Sequence, residues 1–209
     1  MITVLIADDH AVVRQGLKQI IADQKDMVVG GEAKNGHEVI ELLRQKEWDV
    51  VVLDITMPGR SGLDILKDIK SERPELPVLM LSMHPEDQYA LRALRAGAAG
   101  YLTKESAPEE LVVAIRRILR GKKYITESVA DAMVDDIKGA VDKEPHDKLS
   151  DREFQVLTMI GSGKSLSDIA EELSLSVKTV STYRTRLLEK MHLKNNAELV
   201  HYAVSRKLV

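Results

Sequence analysis

The sequence predicts an α/β fold, a doubly wound five-stranded parallel sheet, followed by an all-α helix-turn-helix segment. Three observations predict it. Over roughly the first 120 residues, short apolar runs alternate with amphipathic stretches, as repeated strand–helix units do. The clearest run, Val50-Val51-Val52-Leu53, is apolar at consecutive positions, as a strand covered on both faces must be. From Leu149 onward the pattern is helical, in short segments joined by tight turns.

Val4-Leu5-Ile6-Ala7 is the first strand, ending at Asp8-Asp9. Residues 11–23 then place Val13, Leu17, Ile20 and Ile21 on one helical face. Val28-Val29 reads as a short second strand, and residues 36–46, with Val39, Ile40, Leu42 and Leu43, as a helix. The third strand ends at Asp54, and Leu63–Ser71 is a helix closed off by Pro74. Val78-Leu79-Met80-Leu81 is the fourth strand, ending at Ser82; a helix over 86–96 follows, with Gly97 as its C-cap. Gly100-Tyr101-Leu102 is the fifth strand, ending near Lys104. Pro108 sits early in a helix running to about Arg120, with Gly121 after it.

Residues 122–147 have weaker periodicity. Val129, Met133, Val134 and Ile137 would line one face of a short helix, and the acidic stretch Gly139–Asp147 reads as linker. Ser150, with Glu153 three residues on, forms a capping box ahead of a helix carrying Phe154, Leu157 and Ile160. Gly161 and Gly163 end it. Ser167 lies in the first turn of a helix with Ile169, Ala170 and Leu173. After a turn at Leu175-Ser176, helices are expected over 177–191 and 196–205. The expected division is therefore 1–121, a linker at 122–147, and 148–209.

Composition removes several function classes. The 209 residues include no Cys, which excludes disulfide scaffolds, thiolate metal sites and Cys nucleophiles, and fits a reducing cytoplasm. Aromatic content is 3%, too low for repeated base-stacking platforms. No apolar run approaches the roughly 18 residues of a membrane span, and the opening Met1-Ile2-Thr3-Val4 has no basic region of a secretory signal. The formal charge of −3 is unevenly spread. Residues 1–125 hold 18 Lys and Arg against 19 Asp and Glu; residues 126–147 hold 2 against 7; residues 148–209 hold 10 against 7. A modestly basic tail thus follows an acidic middle.

Parallel sheets bind ligands at the carboxyl ends of their strands. Four of the five expected strand ends carry polar or charged residues there: Asp8 and Asp9, Asp54, Ser82, Lys104. Clustered carboxylates repel, and a hard divalent cation such as Mg²⁺ relieves the repulsion. A lysine and a hydroxyl opposite carboxylates suit phosphoryl chemistry, with a carboxylate as nucleophile. Taken singly, Ser82 reads as a helix cap, Lys104 as a surface lysine, Tyr101 as a packed strand aromatic, and Gly59 and Gly62 as turn residues. The ordered set carries the signal.

That set (Asp8-Asp9, Asp54 within DITMPGRSG, Ser82, and YLTK ending at Lys104) resembles the receiver domain of two-component response regulators. The resemblance covers about the first 120 residues. It implies that Asp54 accepts a phosphoryl group from a sensor histidine kinase. It implies Mg²⁺ on Asp9, Asp54 and the Thr56 backbone carbonyl, with Asp8 acting through water. Lys104 would pair with phosphoryl oxygens, and Ser82 and Tyr101 would form the switch. In one respect the chain departs from the pattern. Receivers commonly carry Pro after the lysine, joined by a cis peptide. Here that residue is Glu105, and a non-proline cis bond costs about 2.5–4 kcal/mol.

The segment from Leu149 to Val204 resembles the LuxR-type DNA-binding domain, so the whole chain resembles a NarL/FixJ-type response regulator. In the helix over 177–191, Val177, Val180 and Leu187 suit the buried side; Lys178, Ser181, Thr182, Arg184 and Thr185 suit the other. Cations meet phosphates, and hydroxyls can read base edges in a major groove. By the resemblance, Ser181, Thr182 and Thr185 read bases, while Lys178, Arg184 and Lys194 contact phosphates of double-stranded DNA. The modest charge favours a homodimer on two half-sites. Val200, Ala203 and Val204 suit either a dimer surface or core. His84, His192 and His201 lack metal-ligand spacing.

The expected function is thus a transcription factor controlled by phosphorylation of Asp54, with only its own phosphoryl transfer and slow dephosphorylation as chemistry. Two alternatives stand beside it. One is a DNA-binding protein whose front domain dimerises independently of phosphorylation. The other is an aspartyl phosphatase of haloacid-dehalogenase type. Such phosphatases place an acid two residues after the nucleophile, where this chain has Thr56.

Overall fold

The computed structural model describes residues 1–84, 86–137, 144–206 and 208–209. The chain forms two compact units, Met1–Lys138 and Gly139–Val209.

The first unit holds β1 (Ile2–Ala7), α1 (Ala11–Ala22), β2 (Met27–Ala33), α2 (Gly36–Gln45), β3 (Val50–Asp54), α3 (Gly62–Glu72), β4 (Val78–Ser82), α4 (Glu86–Arg95), β5 (Gly100–Thr103), α5 (Ala107–Ile118) and α6 (Glu127–Ile137). The sheet is parallel, in the order β2-β1-β3-β4-β5. Every residue of β3 and β4 is buried, which explains their unbroken apolar runs. Val4, Ile6, Val52, Leu79 and Leu81 form a core with Leu17, Ile21, Leu111 and Ile115 from α1 and α5. Asn35 and Ser61 cap α2 and α3 by accepting from Glu38 N and Leu63 N. Gly97 and Gly121 adopt φ of +100° and +75°, as helix-ending glycines do.

The second strand is longer than the sequence suggests. Gly30-Gly31 interrupts its apolar pattern, but β2 runs on to Ala33. Trp48 supplies the missing side-chain volume: a Cβ on Gly31 would lie 2.7 Å from its ring. The Trp48 indole N–H donates to Leu42 O at 3.0 Å, and Lys46 Nζ sits 4.4 Å from the ring centroid.

Residues after α5 add to the first unit. Tyr124 bridges Gly100 at the β5 edge, its N–H donating to Ala99 O at 3.0 Å. Helix α6 packs on α4, and its Val129 is buried. Met133 is half-buried, whereas Val134 is 45% exposed, because it falls about 100° round the helix from Met133. The Ile137 side chain and residues 138–143 of the expected linker lie outside the described residues. At the end of that linker, Pro145–Lys148 forms a 3-10 turn, with Glu144 N donating to Asp147 Oδ2 at 3.0 Å.

The second unit adds α7 (Asp151–Gly161), α8 (Leu166–Glu172), α9 (Val177–Met191) and α10 (Asn196–Ser205). Phe154, Leu157, Ile160, Ile169, Ala170, Leu173, Val180, Leu187, Met191, Leu199 and Ala203 are buried. Val177 is not: it is 48% exposed, since the first residue of α9 precedes the turn that packs inward. Ala203 belongs to the core, Val200 is half-buried, and Val204 is 57% exposed. Gly161 lets α7 approach α10, because a Cβ there would lie 2.6 Å from Ala203 Cβ.

Ser150 starts α7 with a complete capping box. Its Oγ accepts from Glu153 N, and Glu153 Oε2 accepts from Ser150 N at 2.8 Å and from Lys190 Nζ at 2.7 Å. Ser150→Ala is expected to cost about 1 kcal/mol, read as a lower urea midpoint of the full chain. Burial opposes Glu153 ionisation, but Lys190 and Ser150 outweigh it and hold the carboxyl below its ordinary range. A depressed folded pKa stabilises above the unfolded value of about 4.3. That contribution is lost as pH falls through the lower folded value.

Candidate functional site

Parallel strands deliver their carboxyl ends to one edge, and the charged residues of the first unit meet there. Asp8 follows β1, Asp54 ends the neighbouring β3, Ser82 ends β4, and Lys104 follows β5. Lys104 Nζ reaches across to Asp8 Oδ2 at 2.7 Å and Asp54 Oδ2 at 2.9 Å. All three side chains are at most 6% exposed. Burial pushes the Asp54 carboxyl up to about 7; Lys104 opposes the rise and the Asp8 charge adds to it. Burial also disfavours the Lys104 charge, but the two carboxylates outweigh it and raise its pKa.

The surrounding backbone fixes these groups. Thr56 N donates to Asp54 Oδ1 at 3.3 Å, and Lys104 N donates to Ser82 O at 2.7 Å. Ser82 Oγ accepts from His84 N at 3.0 Å. The Tyr101 ring is buried, and its phenol donates to His84 O at 2.8 Å. Burial, the largest influence, holds that phenol far above its ordinary pKa, so it remains a donor. Among the described residues there is no cis peptide, so Lys104–Glu105 is trans.

Asp8, Asp9, His10 and Asp54 each offer a donor atom, all within 4.8 Å of one another. Hard oxygen donors clustered so closely suit a divalent cation. Three contributors escape a reading of the sequence. Arg14 is 7% exposed, and its guanidinium donates to Asp8 O at 2.7 Å. Its signal was an arginine in step with Leu17 and Ile21, on the buried face of α1. His10 lies with Nδ1 2.8 Å from Asp9 Oδ1. Gly62 is more than a turn residue, since a Cβ there would lie 1.9 Å from the Asp54 carbonyl oxygen. Gly59 does occupy a turn, with φ +78°.

In the second unit, Lys178, Ser181, Thr182 and Thr185 fall at i, i+3, i+4 and i+7 of α9, one continuous face. Lys178, Thr182 and Thr185 are exposed and Ser181 is half-buried. The Thr182 and Thr185 hydroxyls donate to Lys178 O and Ser181 O at 2.9 and 3.0 Å, which orients their methyl groups. Arg184 leaves this face, and its guanidinium donates to Asn196 on α10. Lys194 is exposed in the turn before α10, its N–H bonded to Glu198. Arg186, exposed on α9, is a cation that the sequence reading missed.

The family model for the response regulator receiver domain matches residues 4–116, and that for bacterial regulatory proteins of the luxR family matches residues 147–203. The chain belongs to the response regulators. It is of the NarL/FixJ type, a receiver followed by a LuxR-type helix-turn-helix region. Response regulator UvrY of Escherichia coli (strain K12) is 38% identical over 209 residues, covering 100% of this chain and 96% of UvrY. The oxygen regulatory protein NreC of Staphylococcus epidermidis is 38% identical over 216 residues, covering 99% and 98%. Among solved structures, the response regulator RcsB of Salmonella typhimurium matches with TM-score 0.70 and 27% identity, over 98% of this chain and 97% of that one. RcsB bound to promoter rprA in the presence of phosphomimetic BeF3⁻ matches with TM-score 0.65 and 26% identity, over 96% and 97%. Response regulators of this type are DNA-binding regulators rather than classical enzymes, and their receivers generally bind Mg²⁺ at an acidic pocket. Among the described residues, no helix is long and apolar enough to cross a membrane.

Proposed function

We propose that Asp54 is the phosphoacceptor of this response regulator and that its phosphorylation controls DNA binding by α9. One observation carries the proposal: Lys104 Nζ lies within 2.9 Å of both Asp54 and Asp8 at one sheet edge, with all three side chains buried from water. A partner histidine kinase presents a phosphohistidine. The Asp54 carboxylate attacks phosphorus, an O–P bond forms, the P–N bond breaks, and the departing imidazole takes a proton from solvent. Asp54 reacts as the anion, so the cation Lys104 at 2.9 Å aids the step by favouring ionisation.

Mg²⁺ would be held by Asp9, Asp54 and the Thr56 carbonyl, with Asp8 acting through water, and it would offset the charge of the phosphoryl oxygens. Lys104 then transfers from the carboxylates to a phosphoryl oxygen. Ser82 turns its hydroxyl toward the same group. That movement takes an acceptor from His84 N, and the Tyr101 phenol, bonded to His84 O, changes rotamer with the loop. Slow self-dephosphorylation resets Asp54, and the protein works in the cytoplasm.

For DNA, the relatives' behaviour supports the same reading: RcsB has been seen as dimers on DNA. Ser181, Thr182 and Thr185 would read base edges, with Lys178, Arg184 and Lys194 on phosphates. Two copies would bind two half-sites. Lys178→Ala is expected to weaken binding alike on all sequences and to flatten the log–log salt slope by about 1. Ser181→Ala is expected to alter sequence preference, read by site selection from random duplexes.

The acceptor is tested by treating the chain with a small phosphodonor and Mg²⁺, then weighing it intact. Wild type is expected to gain one phosphoryl mass and Asp54→Asn none. An unlabelled wild type, under conditions that label another receiver, would refute the assignment.

A further inference from the structure

His10 stands where a helix is usually capped, yet it caps nothing. It is the N-cap residue of α1, with φ −81° and ψ 110°, and its side chain makes no cap hydrogen bond. Asp, Asn, Ser or Thr would turn back onto the helix N–H groups. The His10 ring turns instead toward the sheet edge, placing Nδ1 2.8 Å from Asp9 Oδ1 and 3.3 Å from Asp8 Oδ1. The Asp8 side chain behind it is fully buried, its Oδ1 already accepting from His10 N at 2.8 Å. Donor atoms of Asp8, Asp9, His10 and Asp54 all lie within 4.8 Å of one another. Opposite ligands of an octahedral cation with bonds of about 2.1 Å lie roughly 4.2 Å apart, so a small inward shift of these donors would let one ion touch all four.

We propose that the His10 imidazole is a protein ligand at this cluster, making the site favour divalent cations that accept nitrogen over Mg²⁺. The inference rests on the cation site of the proposed function and adds to it a residue and a selectivity. Mg²⁺ takes oxygen donors and keeps its waters, so it gains little from an imidazole. Mn²⁺, Co²⁺ and Ni²⁺ accept imidazole nitrogen, and affinity rises along that series. With an ion between Nδ1 and the carboxylates, Nδ1 would give its lone pair to the ion and Nε2 would donate to water, since the side chain is 60% exposed. The present Nδ1 contacts with two carboxylates place the nitrogen where a shared cation would draw all three together.

The test uses the untagged full chain and three ions, Mg²⁺, Ni²⁺ and Mn²⁺. His10→Asn removes the ring nitrogen while supplying a favoured N-cap, so the variant should fold; His10→Ala is the second variant. By calorimetric titration, Ni²⁺ affinity is expected to fall about tenfold or more in both variants. Mg²⁺ affinity should stay within about twofold, since Mg²⁺ relies on the carboxylates. Ni²⁺ binding that survives Asp9→Asn arises at other histidines and is subtracted. In the Mn²⁺-loaded wild type, spin-echo modulation should show a coordinated nitrogen, absent from both variants. Equal Ni²⁺ affinities with no nitrogen signal would overturn the His10 assignment and leave the carboxylate site standing. A wild type that binds none of the three ions would overturn both.

Discussion

Lys104→Met is expected to destabilise the receiver by about 3–5 kcal/mol, because it removes a buried cation from two buried carboxylates. Asp8 and Asp54 are 0% and 1% exposed, and Lys104 Nζ lies within 2.9 Å of both. Methionine matches the length of the lysine stem, so packing changes little and charge changes most. The loss should depend on pH, and the sign follows from Asp54. Its folded pKa is about 7, already far above the ordinary carboxylate range because of burial. Losing Lys104 raises it further. A carboxyl with a raised folded pKa binds more protons folded than unfolded, so stability falls as pH rises through that window. The variant is therefore expected to unfold at lower urea than wild type at pH 8, with a smaller gap at pH 6, both in chelator. Mg²⁺ should stabilise the variant more than wild type, since an ion at the carboxylates replaces the missing charge. A gap that is the same at both pH values would mean that Lys104 does not compensate Asp54.

Gly62→Ala is expected to cost about 3 kcal/mol or more and to slow phosphoryl uptake at Asp54. Gly62 opens α3, and its N–H donates to Ile55 O at 2.8 Å. A Cβ there would lie 1.9 Å from Asp54 O and 2.9 Å from Ile55 Cα, both backbone atoms of the acceptor segment. No rotamer change relieves a clash with backbone. The helix must withdraw, and Asp54 and Thr56 shift with it. Gly59 provides the contrast. It has φ +78° but nothing within 4 Å of a built Cβ, so Gly59→Ala meets only conformational strain, about 1–2 kcal/mol. Urea midpoints and phosphoryl uptake rates separate the two. Equal, mild effects would contradict the packing role of Gly62.

What could be read in advance follows from what one chain segment decides alone. Apolar runs such as Val50–Leu53 and Val78–Leu81 mark buried parallel strands. Parallel strands then bring whatever follows them to one edge. Asp8, Asp54, Ser82 and Lys104 were visible together for that reason. Features decided by a second segment were not. The length of β2 depends on Trp48 filling the space over Gly30-Gly31. Tyr124 joins the sheet only because β5 is an open edge. The need for Gly62 comes from the Asp54 carbonyl, and the partner that holds the Arg184 guanidinium, Asn196, comes from α10. His10 carried no sequence signal, since a histidine after two aspartates does not say which way its ring turns.

Duplex-DNA affinity of the full chain measures the link between Asp54 and α9 directly. Wild type and Asp54→Asn are titrated onto their selected site at fixed salt and Mg²⁺, with and without phosphodonor. Phosphodonor is expected to tighten wild-type binding and to leave Asp54→Asn unchanged. Affinities that match in all four conditions would contradict the account and make the receiver a phosphorylation-independent dimerisation module.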